Sequence, residues 1–145
     1  MTHTPVSTSL PVLDMAMLDA DEASAAAFRD ALRAATHEVG FFYLVGHGIP
    51  DDVTARAFAT AERFFALPAE EKQAIEMRRS PHFRGYTRTG AELTGGQVDW
   101  REQIDIGAER DRVDDPAAPA YMRLEGPNLW PAAQPDLRAV FTDWE

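Results

Sequence analysis

From about Asp21 to Val39, apolar side chains recur at helical spacing. Phe28, Leu32, Ala35 and Val39 share one flank, with Ala27 and Ala31 beside them. The spacing predicts a helix started by Asp19 or Asp21 and closed by Gly40, the residue type that ends helices in a left-handed conformation. The pattern then changes. Phe41-Phe42-Tyr43-Leu44-Val45 lacks charge on both alternating faces, which predicts a short strand sandwiched between other layers. After the tight Gly46-His47-Gly48 turn, Val53, Ala57, Ala61 and Phe64 mark the inner face of a second helix, Asp51 to Phe65. Asp51 and Asp52 suit its positive end. Leu67-Pro68 breaks it, and Pro68 opens a short helix to about Met77 with Glu70 and Glu71 near its start.

Upstream, Leu10 to Asp14 reads as a short strand whose proline favours an edge, and residues 1–9 read as a disordered tail. Downstream, Ser80 to Thr89 is polar and aromatic and runs into glycine-rich loop sequence through Gly96. Trp100 to Gly107 alternates with period two. Trp100, Ile104 and Ile106 share a face on which Glu102 is the exception, a carboxylate that needs a partner if buried. Glu109 to Pro135 reads as a long loop anchored by Leu129 and Trp130. Leu137, Val140, Phe141 and Trp144 then mark an amphipathic helix. The chain stops one residue later with no capping glycine, so this helix reads as cut in mid-pattern.

Composition narrows the function. Apolar residues make up 45% of the 145, which suits a globular domain or part of one. A formal net charge of -10 disfavours nucleic acid and anionic membrane surfaces as partners. Cysteine is absent, which removes disulfides, thiolate metal sites and a cysteine nucleophile. There is neither a secretory leader nor an apolar run near the roughly 20 residues of a membrane span. The expected setting is soluble and cytoplasmic. Lys72 stands alone against thirteen arginines, a bias that suggests a GC-rich bacterial genome.

The motifs exclude more than they assign. Gly46 and Gly48 begin a dinucleotide-binding pattern, but its third glycine would fall at Asp51. No histidine opens a His-x-Asp pair: His3, His37, His47 and His82 are followed by Thr-Pro, Glu-Val, Gly-Ile and Phe-Arg. His47 is expected to bond nearby backbone, His37 to lie on a helix surface and His3 in the tail. The most site-like stretch is Ser80 to Trp100, where Arg84 and Tyr86 suit a carboxylate and Glu92 with Thr94 suits a basic group. An ordinary polar surface loop explains the same composition.

Taken in order, these elements resemble the N-terminal region of the isopenicillin N synthase-like iron(II)/2-oxoglutarate oxygenases. The resemblance rests on Leu10-Pro11-Val12-Leu13-Asp14, Val39-Gly40 through Pro50, Phe64-Phe65-Ala66-Leu67-Pro68 with Glu71-Lys72, Arg84-Gly85-Tyr86, Asp99-Trp100-Arg101-Glu102 and Gly126-Pro127-Asn128-Leu129-Trp130-Pro131. Locally, Gly85-Tyr86 through Gly96 and Asp99 is similar to the bacterial ethylene-forming enzymes. There the matching glutamate-apolar-threonine stretch contacts a guanidinium substrate, which makes Glu92, Leu93 and Thr94 candidate contacts. In isopenicillin N synthase an arginine two residues before the Gly-Tyr pair holds a substrate carboxylate. That position here is Phe83, so the role does not pass cleanly to Arg84.

The resemblance implies an α+β architecture: an N-terminal helical region from residue 10 to 145, plus the first strands of a double-stranded β-helix, or jelly roll, incomplete in this chain. It implies a parent enzyme that uses Fe(II) and 2-oxoglutarate on a small molecule, including the ethylene- and succinate-forming type. The iron ligands are expected in a missing C-terminal half, so no catalytic or metal-binding residue is assigned here. The chain alone is expected to bind neither cofactor and to be inactive. Arg84, Tyr86, Glu92, Leu93 and Thr94 are the candidate substrate-binding residues, for a basic amino acid or similar molecule. The alternative is a stand-alone, non-catalytic oligomerising or interaction protein derived from this fold.

Overall fold

The helical spacing of the first segment folds as expected, with one departure. In a computed structural model that describes residues 9–144, helix α1 spans Glu22–Ala34 and continues as a π-helical turn over Ala35–Val39. Asp21 caps its start by accepting from the Ser24 amide at 2.8 Å. The wider turn ends at Gly40, whose φ of 86° lets its N–H reach back to the Ala35 carbonyl at 2.9 Å. The expected tail falls almost wholly on residues 1–8, which lie outside the described residues.

Two compact units divide at Ile49 and Pro50. In the first, strand β1 (Val12–Asp14) pairs in parallel with β2 (Tyr43–Val45), and Leu13 joins Phe28 and Ala35 in a small core with Phe42 packed against it. The sandwiched strand expected at Phe41 to Val45 is not found. Only Phe42 turns to the core; Phe41 and Tyr43 are 73% and 62% exposed, and Leu44 and Val45 are exposed as well. The core around helix α1 takes in only Leu13 and Phe42 from this region, and no second layer among the described residues of this unit covers the strand, so its apolar side chains stay bare.

The second unit opens with α2 (Asp51–Phe65), whose inner residues Ala57, Thr60 and Phe64 are buried. A short α3 (Ala69–Gln73) follows, well short of the expected end at Met77. The reason lies in the Ile75 carbonyl, which accepts the Tyr86 N–H at 2.9 Å and so leaves the helical ladder. A 3₁₀ turn covers Met77–Arg79. The expected loop from Ser80 to Gly96 is instead strand-bearing. Strand β3 (Gly85–Thr87) precedes a hairpin of β4 (Leu93–Thr94) and β5 (Gln97–Val98). Gly95 and Gly96, at φ 58° and 80°, form its two-residue turn, where left-handed backbone matches strand twist.

Strand β6 (Gln103–Asp105) pairs antiparallel with β3 and is shorter than the Trp100 to Gly107 alternation suggested. Trp100 lies outside it and is 82% exposed. Residues 109–135 are mostly irregular, with a 3₁₀ turn at Ala120–Leu124, before α4 (Asp136–Trp144). Phe64, Ile75, Tyr86 and Leu137 form this unit's core, and Leu129, Trp130 and Phe141 pack against it. Helix and two-stranded pairs together give the α+β content; the described strands form no double-stranded β-helix.

Candidate functional site

Pairing of β3 with β6 sets Tyr86 opposite Ile104 and brings Glu102 under the core. This carboxylate finds the partners its setting demands. Lys72, from α3, donates to Glu102 Oε2 at 2.7 Å and to the Phe65 carbonyl at 2.9 Å. The Tyr86 hydroxyl donates to the same Oε2 at 2.6 Å, and the Lys72 ammonium lies 5.5 Å from the Tyr86 ring centre. Burial, then the hydrogen bond and charge of Glu102, push the Tyr86 phenol up to about 12. Burial alone would raise Glu102, but hydrogen bonds from Lys72 and Tyr86 and the Lys72 charge outweigh it. The carboxyl is held below its ordinary value. At neutral pH the phenol keeps its proton and commits it to Glu102.

A second network fixes the long loop. Asn128 is buried and closes a two-bond clasp with Gly107: the Gly107 N–H donates to Oδ1 at 3.0 Å and Nδ2 donates to the Gly107 carbonyl at 2.7 Å. Glu109 accepts from Asn128, from Trp130 Nε1 at 3.2 Å and from Arg138 at 3.1 Å. Burial opposes charge on Glu109, yet these donors win and hold it below its ordinary value. Neither Asn128 nor Glu109 stood out as functional in the sequence, and the long-range clasp leaves no local pattern to read.

Beside Tyr86 lies a groove of about 360 Å³. Glu76, Met77, Phe83, Tyr86, Glu92 and Leu124 are among its walls. Of the candidate site residues, Tyr86 and Glu92 meet here. Glu92 accepts from the Gln103 amide at 3.4 Å, and no lysine or arginine among the described residues pairs with it. Glu76 differs, since Arg78 lies 3.6 Å from its carboxylate. Arg84 does not line the groove: it donates to the carbonyls of His82 and Phe83 at 3.1 and 3.2 Å, and its Nε is buried without a partner. Leu93 is 70% exposed on the hairpin, and Thr94 sits at the hairpin end, 3.4 Å from Asp99.

His47 and His82 are bonded to backbone, and His3 lies outside the described residues. His47 Nδ1 accepts the Ile49 N–H at 3.1 Å. His82 is buried, its Nδ1 2.8 Å from the Arg123 carbonyl. No three histidine, aspartate or glutamate side chains among the described residues gather in a way that could hold a metal ion. These residues therefore do not fit an iron site, and no step through iron is assigned to them.

The geometry can now be set beside known proteins. The family described as "non-haem dioxygenase in morphine synthesis N-terminal" matches residues 10–133. A full-length Neurospora crassa protein crystallised with alpha-KG superposes with a TM-score of 0.68 at 28% identity, over 93% of this chain and 41% of that one. The fold is thus that of the front part of a 2-oxoglutarate-Fe(II) oxygenase. The chain belongs to the N-terminal family of the non-haem, 2-oxoglutarate- and Fe(II)-dependent dioxygenases. It is 42% identical to a 2-oxoglutarate-dependent dioxygenase, frbJ, of Dothideomycetidae sp., over 94% of this chain and 36% of that protein. It is 35% identical to a homoarginine-6-hydroxylase of Arabidopsis thaliana, over 88% of this chain and 38% of that protein. The chain spans well under half the length of these relatives.

Proposed function

We propose that this chain is the N-terminal part of an Fe(II)/2-oxoglutarate-dependent dioxygenase acting on a small molecule that carries a basic group. Residues from Leu10 onward form its N-terminal region, supplying scaffold and one wall of the substrate pocket, while the iron ligands belong to other residues. The observation that carries this reading is the family match along residues 10–133. The basic substrate group is supported by Glu92, a half-buried carboxylate on the groove with no cationic partner among the described residues. A carboxylate so placed recognises an ammonium or guanidinium through charge-assisted hydrogen bonds. The matched homoarginine-6-hydroxylase, and the local likeness to ethylene-forming enzymes at Glu92-Leu93-Thr94, point the same way.

In this reading Tyr86 contributes its ring, not its hydroxyl proton, to the pocket, because Glu102 holds that proton. Lys72 and Glu102 act on the substrate only through Tyr86. Leu93 and Thr94 extend the wall along the hairpin, and Arg84 braces the segment from behind. The relatives lend no support to a non-catalytic interaction protein.

The test is 2-oxoglutarate consumption by the intact, iron-loaded enzyme with homoarginine, arginine and the uncharged analogue norleucine. The expected result is stimulation by the basic molecules at least tenfold above norleucine. Equal stimulation by all three, or none by any, contradicts the reading.

A further inference from the structure

Gly126-Pro127-Asn128 lines none of the groove, yet both supports of one groove wall lead back to it. That wall is the segment from Ser80 to Thr87, which gives the groove Pro81, Tyr86 and Thr87. Its backbone turns sharply at Phe83, whose φ of 59° is a conformation that a bulky L-residue holds only where its surroundings impose it. The first support is His82. Its buried ring is fixed to the Arg123 carbonyl and pressed against Gly126, where a Cβ would collide with it. The second is Arg84. Its Nη1 donates to the carbonyls of His82 and Phe83 at 3.1 and 3.2 Å, and its Nε is buried without a partner. No carboxylate holds this guanidinium in place; it lies against Gly107, with no room for a Cβ between them.

Gly107 is itself held fast. Asn128 takes both of its backbone groups, the N–H at 3.0 Å and the carbonyl at 2.7 Å. Glu109 fixes Asn128 in turn, accepting from its backbone N–H at 3.2 Å and from Nδ2. A buried amide committed at both ends to one peptide unit sets that unit's place within the narrow tolerance of hydrogen-bond geometry. A clasp that served only to tie down the loop could close on any residue in it. This one closes on the glycine against which Arg84 rests.

We propose that Asn128 is a positioning residue for the substrate. Through Gly107 and Arg84 it sets the groove wall that carries Tyr86, and it touches no substrate itself. The inference rests on the function proposed above and extends it from the groove to the loop behind. Loss of the clasp then weakens the fit of the substrate and leaves 2-oxoglutarate unaffected.

The experiment measures KM for homoarginine and for 2-oxoglutarate, with thermal midpoints, in the intact, iron-loaded enzyme and its variants. Asn128→Ala is expected to raise the homoarginine KM at least about fivefold, with the 2-oxoglutarate KM within about twofold of wild type. Gln134→Ala removes another buried amide of this unit, one that bonds the Thr60 carbonyl and does not line the groove. At a comparable fall in midpoint it keeps both KM values within about twofold. Gly107→Ala drives a Cβ into the guanidinium, and Arg84→Ala removes it; each raises the homoarginine KM. Combined, they exceed the larger single effect by less than about twofold, because the two residues act in series. Equal KM shifts in Asn128→Ala and Gln134→Ala would reduce Asn128 to a structural tie and overturn the inference. Multiplying effects of Gly107→Ala and Arg84→Ala would overturn it as well, and this pair decides alone where Asn128→Ala does not fold. Asn128→Ala at wild-type KM, while Glu92→Gln loses affinity, overturns this inference and leaves the proposed function standing. If homoarginine and arginine fail to stimulate the wild type, the proposed function falls and the inference falls with it.

Discussion

Residues 9–49 and residues from Pro50 onward satisfy their polar groups over different reaches of chain. In the first unit the side-chain hydrogen bonds are local: Asp14 to the Ala16 amide, Asp21 to Ser24, Thr36 to the Leu32 carbonyl, His47 to the Ile49 amide. Such bonds fix where an element starts or stops and little else. The second unit has local bonds as well, such as Arg84 to the His82 carbonyl, but adds bonds that span long stretches of chain, 30 residues from Lys72 to Glu102 and 74 from Gln134 to the Thr60 carbonyl. Bonds of that reach dictate the shape of loops, and loops of dictated shape are what a binding wall requires. The apolar surfaces do not follow this division. Each unit buries a core, around Phe28 in the first and Phe64 in the second, and each leaves large apolar side chains bare, Phe41 and Tyr43 in the first and Trp100 and Tyr121 in the second.

The contrast predicts a graded response to substitution. The largest effect falls on Lys72→Met, which leaves the Glu102 carboxylate without its cation. The expected loss is about 2 kcal/mol, below the figure for a fully buried pair because the Glu102 side chain is 31% exposed. Chemical denaturation checks it, and a loss under about 0.5 kcal/mol would place this pair with ordinary surface bridges.

Next comes Tyr86→Phe, expected to cost about 1 kcal/mol and to change the response to alkali. In the folded protein the phenol is pushed from 10.0 up to about 12, so the folded state holds this proton more tightly than the unfolded chain. The stability it confers is complete below about pH 10 and is lost as pH climbs toward about 12. Tyr86→Phe should flatten that alkaline fall in a stability–pH profile. On the acid side Glu102 and Glu109 work oppositely: their lowered values give stability above the ordinary carboxylate range that is lost as pH drops through it.

The smallest effect belongs to the first unit. Tyr43→Thr on the bare strand face should move stability by less than about 0.5 kcal/mol, measured by the same denaturation in this chain. A cost above about 2 kcal/mol would mean that Tyr43 is buried and would erase the contrast.

What was legible in the sequence follows the same division. Elements defined by local spacing came through: helix Asp51–Phe65 ends where its apolar spacing and Leu67-Pro68 say it should, and Asp21 and Gly40 bound the first helix. The need of Glu102 for a partner could be read from one odd carboxylate in an apolar alternation. The partner's identity could not, because Lys72 meets it only after α3 and β6 are both in place. Early termination of α3 was hidden for the same reason, since it depends on Tyr86 taking the Ile75 carbonyl. The Gly95-Gly96 hairpin was missed although its turn is local, because strands of two residues carry no alternation to flank it. Within the candidate site, Tyr86 and Glu92 share a groove while Arg84 turns away, a choice set by the anchoring of His82 and Gly107. The bare face of Tyr43 misled differently: an uncharged strand reads as sandwiched whether or not a second layer lies over it.

The central claim is that the second unit presents Glu92 to the basic group of a small substrate. The most direct measurement is the ratio of substrate-coupled to uncoupled 2-oxoglutarate consumption in the intact enzyme, for wild type against Glu92→Gln with homoarginine as substrate. The account predicts that the ratio falls at least tenfold in Glu92→Gln. Equal loss of coupled and uncoupled turnover, leaving the ratio where the wild type has it, would contradict it.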